Sequence, residues 1–229
     1  MVRGMACRRA FVAIIAAALC AGCELPNVPL EAPAYEPSLF VDFETRLIYH
    51  WPLGRTISIY ADGSGVADRD LRAAIAAGAA GWMDAIYYRE FDIRLVDSPQ
   101  DADVTFHFDN VAPVVDTDSC EGVLLGAGGV TYFCVDQGLT TILPLSFVGS
   151  SSRSRVKFDV TISSDPFQIP TQERFFAIVA HEIGHVLGIA NHSGDPNDLM
   201  FTSPLITDPS SRDARTLRWV LHQPSDLDL

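Results

Sequence analysis

Residues 181–200 read HEIGHVLGIANHSGDPNDLM, and this stretch decides the fold and the chemistry expected of the chain. His181 and His185 are four residues apart, so on a helix both imidazoles project from one face, about one turn from each other. That separation suits two ligands of one tetrahedral zinc ion. Glu182 lies at the edge of the same face, where its carboxylate can accept a proton from a water molecule held on the metal. The stretch therefore predicts a zinc site with Glu182 as its general base.

The same spacing also occurs by chance, in helices whose two histidines lie on a partly exposed face. Here the predicted helix is apolar on most faces, which indicates a buried helix. Thr171 can cap its first turn, and Gly188 is expected to end it after about Leu187. Two histidines and a glutamate on a buried helix need a partner, and a metal supplies one. After Gly188 the chain can turn back, which makes His192 a candidate third ligand.

The stretch resembles the metzincin clan of zinc peptidases, and its matrixin branch in particular. The family motif is H-E-x-x-H-x-x-G-x-x-H, followed by a methionine turn. Counted from Gly188, the third histidine of the motif would fall on Asn191. Counted back from Met200, His192 fits the matrixin pattern H-S-x-D-P-x-x-x-M without a gap. The resemblance implies His192 as the third ligand, with Asn191 as the alternative, and Met200 as the methionine beneath the metal.

The fold implied by the resemblance is α+β and metzincin-like (the zincin fold). It has a twisted, mostly parallel five-stranded sheet with an antiparallel edge strand, two long helices and a C-terminal helix. The hydrophobic patterns of the chain agree with this order of elements. They predict strands at 55–60, 91–96, 104–108, 129–134 and 156–162, and helices at 68–87, 170–187 and 211–221.

The edge strand of the implied fold pairs with an extended peptide substrate. Gly129, Val130, Thr131 and Tyr132 are expected to take that position. Residues 109–127, before this strand, look irregular.

Two cysteines flank the edge-strand region. Cys120 and Cys134 form an even pair in a chain expected to be exported, which favours a disulfide. Metal binding is the alternative, and the lack of a neighbouring histidine argues against it.

The N-terminus has the pattern of a secretory signal peptide over residues 1–22, with a basic start, an apolar run and small residues before the cleavage site. Its end resembles a bacterial lipobox, which implies a lipid on Cys23. An ordinary signal peptide is the alternative, because Cys20 stands where the lipobox prefers leucine. Residues 23–45 are proline-rich and predict an extended tether. Residues 46–229 are then expected to form the metallopeptidase catalytic domain that the resemblance implies.

The charge of the chain is strongly acidic, at a formal −13. Removing residues 1–22 takes away three arginines and no acidic residue, so the mature charge is −16. Such a surface repels nucleic acid and anionic membranes, and attachment to a membrane is expected only through the lipid. Glu24 is not the aspartate that signals inner-membrane retention, which favours the outer membrane or cell surface. Without the lipid, the protein would be secreted or periplasmic.

The function favoured by these observations is a monomeric zinc endopeptidase acting on polypeptides. A catalytically degenerate surface lipoprotein that binds peptide or metal is the alternative, and the extra residue before His192 is the feature that favours it. A zinc hydrolase of another fold is disfavoured by Gly188, His192 and Met200. One catalytic zinc is expected. The loop that holds structural zinc and calcium in animal matrixins is not found in the sequence, and the sequence leaves calcium open.

Overall fold

The part of the chain that the computed structural model describes comprises residues 30–40, 46–63, 68–109, 123–125, 129–135, 156–226 and 229. The contacts divide the chain into two units, Met1–Leu30 and Glu31–Leu229, and every element below belongs to the second. None of the helices in the described ranges is both long enough and apolar enough to cross a membrane.

The helices follow the sequence prediction closely. Each begins after a residue whose side chain accepts a hydrogen bond from a backbone N–H group in the first turn. These caps are Asp70, Thr171 and Ser210. The helices are α1 (Leu71–Asp84), α2 (Gln172–Leu187) and α3 (Ser211–Leu221). The strands in the described ranges are β1 (Leu39–Phe40), β2 (Arg46–Leu47), β3 (Arg55–Ala61), β4 (Phe91–Val96), β5 (Val104–Asp109), β6 (Val123–Leu125), β7 (Gly129–Val135) and β8 (Val156–Ser163).

The main sheet has the strand order β4-β3-β5-β8-β7-β6. The first four strands are parallel, and β7 runs antiparallel to β8. The predicted α+β fold and the antiparallel direction of β7 are thereby confirmed. The predicted count of five strands was wrong, because β6 adds a second antiparallel strand outside β7. Three residues in an irregular-looking stretch carry no periodic signal from which β6 could be predicted.

The position of β6 also corrects the prediction that Gly129, Val130, Thr131 and Tyr132 offer a free edge to a substrate. Val130 pairs with Leu125, Thr131 with Leu124 and Tyr132 with Val123. The outer edge of β7 is therefore already paired along three of those four residues. A peptide cannot add to this edge by backbone hydrogen bonds unless β6 first leaves it.

The helices α1 and α2 contact each other closely, and this contact fixes the position of α2 against α1. Gly78 of α1 faces Ala180 of α2, where a Cβ atom on Gly78 would come within 2.9 Å of the Ala180 Cα. The indole Nε1 of the buried Trp82 donates a hydrogen bond to the carbonyl of Ala180 at 2.8 Å. A buried indole finds its hydrogen-bond partner in this way, so α2 is held directly before its first histidine.

The segment before β2 differs from the predicted tether. Its described residues, 31–40, lie against the folded unit instead of extending away from it. Tyr35 donates a hydrogen bond to Asp213 at 2.6 Å, and the carbonyl of Pro37 accepts one from Ala190 at 2.8 Å. The predicted tether is thus wrong for the described residues 31–40, since proline spacing shows that a segment is extended but not what it contacts.

Candidate metal centre

The helix α2 begins and ends where the sequence predicts. The Thr171 hydroxyl accepts a hydrogen bond from the backbone of Arg174 at 3.1 Å. Gly188 ends the helix with a φ of +118° in the left-handed region, and its N–H group bonds back to Gly184 and His185. Every residue from Ala177 to Leu187 is buried, so the two histidines and the glutamate of α2 lie inside the protein.

Three histidines converge at the C-terminal half of α2. His181 and His185 project from the helix, and His192 returns to them after the turn. One ring nitrogen from each lies within 4.8 Å of the other two. The ring centroids are 4.8 to 5.1 Å apart. Three imidazole nitrogens at such separations can share one tetrahedral zinc ion and leave its fourth position open.

The two helical histidines are held in one tautomer by backbone carbonyls. Nδ1 of His181 lies 2.7 Å from the carbonyl oxygen of Leu199, and Nδ1 of His185 lies 2.7 Å from that of Ile189. A carbonyl oxygen can only accept, so each Nδ1 carries the proton and each Nε2 keeps its lone pair. Such bonds fix the ring orientation of metal-binding histidines and raise their basicity.

The Nε2 atoms of all three histidines are buried and have no hydrogen-bond partner in the described structure. A polar atom left in this state costs free energy, and a metal ion at the centre of the three rings would satisfy all of them. The chemistry of the residues therefore fits a zinc ion.

Burial also keeps the three imidazoles neutral, which is the form that binds a metal. It lowers the pKa of His181 to about 3, and it lowers the pKa of His185 well below its ordinary value. The pKa of His192 falls for the same reason.

We expect the free energy of unfolding of the metal-free protein to fall as the pH drops from 7 to 4. The unfolded chain binds a proton at His181 near pH 6.5, whereas the folded chain excludes it until about pH 3. Stability rises with pH wherever the unfolded state binds more protons, by up to about 1.4 kcal/mol per pH unit for each such group. The contribution of His181 is thus present above pH 6.5 and is lost through this window. Urea unfolding at several pH values measures it, and His181→Asn should show a shallower slope; equal slopes would contradict the assignment.

His192 completes a group of three histidines that could hold a metal ion, and Asn191 precedes it in the chain. The side-chain oxygen of Asn191 accepts a hydrogen bond from the backbone N–H group of His192 at 3.2 Å. The loop of residues 189–191 therefore takes up the extra residue and still returns His192 to the helical pair.

Glu182 is fully buried and lies next to His181 in the chain. Its charge adds to the effect of burial in raising the pKa of Tyr49, which shows that the two groups are near each other. The Tyr49 hydroxyl donates a hydrogen bond to the carbonyl of His185 at 2.6 Å. The glutamate and both helical histidines thus lie in one closely packed region.

Met200 lies directly against α2, between the levels of the two helical histidines. A Cβ atom on Gly184 would overlap the Met200 sulfur and would come within 2.7 Å of the Trp82 ring. Met200 is itself fully buried. The contact requires glycine at 184, and the position of Met200 beneath the metal stays a prediction.

A further buried residue, which the sequence patterns do not reveal, connects this region to α3. The Asp213 carboxylate accepts hydrogen bonds from the backbone of Leu199 at 2.7 Å and of Met200 at 3.3 Å. The carbonyl of the same Leu199 holds His181. The S-x-x-D pattern over 210–213, a capping box in the structure, was the available signal for a helix start. It gave no sign of the contact with Leu199.

Two other predicted features lie outside what the structure describes. Cys23 and Cys120 are not among the described residues, and the side chain of Cys134 is not described. The lipid anchor and the disulfide therefore stay predictions.

Comparison with known families agrees with the geometry. A family model described as matrixin matches residues 58–215, more than half of the 229 residues, and the chain therefore belongs to the matrixin family. A search of curated proteins found no significant match. Together, the family and the three-histidine group support a zinc metallopeptidase in general.

Proposed function

We propose that this matrixin is a zinc-dependent endopeptidase that hydrolyses polypeptides. His181, His185 and His192 hold the zinc, and Glu182 is the general base. The observation that carries the proposal is the convergence of three buried Nε2 atoms without hydrogen-bond partners, next to a fully buried glutamate. A protein that needed the zinc only for structure would have no use for a carboxylate at this position.

Zinc held by three histidines lowers the pKa of a water molecule toward neutrality and polarises a carbonyl oxygen. The residues of the chain supply the remaining chemistry. The carbonyls of Leu199 and Ile189 keep two imidazoles in the tautomer that binds metal. The Glu182 carboxylate accepts the proton of the attacking water and returns it to the amine of the leaving peptide.

The substrate is proposed to be an extended polypeptide, whose sequence the site does not define. The acidic charge of the chain argues against nucleic acid as a partner. Because β6 already pairs with β7, backbone pairing with Val130–Tyr132 is not part of the proposal.

The location is a separate proposal, supported by the sequence of the N-terminus alone. The signal pattern of residues 1–22 and the cysteine at position 23 favour export and lipid attachment to a bacterial membrane. We propose a monomer at the outer membrane or cell surface.

The proposal is tested by incubating the purified chain with casein, an unstructured protein substrate. We expect cleavage that a chelator abolishes and added zinc restores. His192→Ala should lose both zinc and cleavage, whereas the adjacent Asn191→Ala should keep both. Zinc content is measured on each sample beside the rate of cleavage.

Three outcomes would count against parts of the proposal. A parent chain that holds no zinc would reject the metal centre itself. A parent that holds one zinc per chain without cleaving would favour a binding protein on the same fold. Loss of zinc in Asn191→Ala together with its retention in His192→Ala would reassign the third ligand.

A further inference from the structure

Asp198 is a fully buried carboxylate that lies between the loop after His192 and the helix α3. It accepts hydrogen bonds from three side chains. One is the hydroxyl of Ser193. The others are the hydroxyl of Ser210 at 2.6 Å and Nε of Arg212 at 2.9 Å. A buried carboxylate with one charged and two hydroxyl donors is well compensated, so Asp198 connects the loop firmly to the first turn of α3.

Ser193, the first of these donors, directly follows His192 in the chain. Its backbone N–H group donates a hydrogen bond to the carbonyl of Met200 at 2.7 Å, and it forms an isolated bridge with Phe201. The segment from Ser193 to Met200 therefore closes on itself. Asp198 lies inside this closed segment and holds the Ser193 hydroxyl, so it helps to set where the chain leaves His192.

His192 depends on its loop more than the other two histidines do. His181 and His185 are held by the helix and by carbonyl bonds to Nδ1. The ring of His192 has no such hydrogen bond in the described structure, and the extra residue before it removes the fixed spacing from Gly188. Its position must come from the loop on either side.

We propose that Asp198 is a positioning residue for the third zinc ligand. By holding Ser193 against α3, it keeps the imidazole of His192 within reach of the other two. This inference rests on the proposed zinc site and adds to it a residue that touches neither metal nor substrate. Groups that orient metal ligands from outside typically change metal affinity about 10- to 100-fold when replaced.

The test measures the zinc affinity of the purified full chain by competition with a chelator. Asp198→Asn keeps the side-chain volume but removes the charge that pairs with Arg212 and leaves one acceptor oxygen where the carboxylate has two. It can no longer accept from all three donors, so we expect zinc to bind about 10- to 100-fold more weakly. The matched control is Asp195→Asn. Asp195 belongs to the same loop and lies 3.9 Å from the same Arg212, but it is partly exposed. The control should bind zinc like the parent.

A second pair of variants tests whether Asp198 acts through Ser193. Ser193→Ala should weaken zinc binding in the same direction, and adding it to Asp198→Asn should have little further effect, because both changes break one connection. If Asp198→Asn does not fold, the zinc affinity of Ser193→Ala alone tests the inference, and parental affinity in that variant would overturn it. Thermal melting of the zinc-free proteins separates a general loss of stability from an effect on the ligand.

Several results would overturn the inference. One is parental zinc affinity in folded Asp198→Asn. A second is a lower melting temperature with unchanged zinc affinity, which would make Asp198 merely structural. A third is an equal loss of zinc affinity in Asp195→Asn, which would show that the effect comes from the removed charge alone. If the parent itself bound no zinc, the proposed metal centre would fail and this inference with it, whereas a parent that binds zinc tightly isolates the role of Asp198.

Discussion

Replacing Glu182 by glutamine is expected to remove nearly all peptide hydrolysis and to leave the zinc in place. Glutamine has almost the same shape, so α2 and its histidines should keep their positions. It cannot accept a proton from the attacking water, and a positioned general base typically contributes 10²- to 10⁴-fold to a rate. We therefore expect a loss of about 10²- to 10⁴-fold in casein cleavage, measured at matched zinc content.

Glu173→Gln is the matched control for this change. Glu173 lies in the first turn of the same helix, is exposed and carries the same charge. Removing this charge should lower the free energy of unfolding by only a few tenths of a kcal/mol, through the helix dipole. It should leave the cleavage rate unchanged. Glu182→Gln with activity near that of the parent would reject Glu182 as the base, even if zinc remained bound.

The parts of the fold that the sequence predicted are those encoded by local patterns. Thr171 and Gly188 bound α2 because a hydroxyl cap and a left-handed glycine act within one turn. The longer strands follow from alternation of apolar and polar residues. The convergence of His181 and His185 follows from their spacing, since helix geometry alone places residues four apart on one face.

The parts that the sequence did not predict depend on contacts between distant residues. The strand β6 is defined by its pairing with β7, since three residues carry no period of their own. The contact of Tyr35 with Asp213 spans 178 residues. Counting the family motif forward from Gly188 leads to Asn191, whereas counting it back from Met200 leads to His192. The sequence alone does not predict the path of residues 189–191, and in the structure this path brings His192 to the two helical histidines.

Asp198 illustrates the same limit within the site. In the sequence it is one of several acidic residues in an acidic chain, and its spacing to Ser193, Ser210 and Arg212 follows no motif. Burial distinguishes it from the nearby acidic residues Asp195 and Asp208, because a fully buried carboxylate must find donors. The structure supplies that burial, and the chemistry of the donors then indicates what the residue holds.

Replacing Gly188 by alanine is the second change expected to have a large effect, on stability as well as on zinc binding. Its φ of +118° lies in the left-handed region, where a side chain costs about 1–2 kcal/mol. A Cβ atom there would also overlap the carbonyl oxygen of Tyr49. Tyr49 cannot easily move, because its ring is fully buried and its hydroxyl holds the carbonyl of His185. Overpacking adds about 1–3 kcal/mol, so we expect a total loss of about 3 kcal/mol in the free energy of unfolding.

Gly54→Ala separates backbone strain from this overlap. Gly54 also has a positive φ, of +79°, but a Cβ atom there would meet nothing within 4 Å. It should therefore lose only the strain contribution of about 1–2 kcal/mol and should bind zinc normally. Urea unfolding of both zinc-free variants gives the comparison, and chelator competition gives the zinc affinities. If the two variants were equally stable, Tyr49 would have shifted to make room for the added Cβ atom. Weaker zinc binding in Gly188→Ala but not in Gly54→Ala would show that the end of α2 determines where His192 lies.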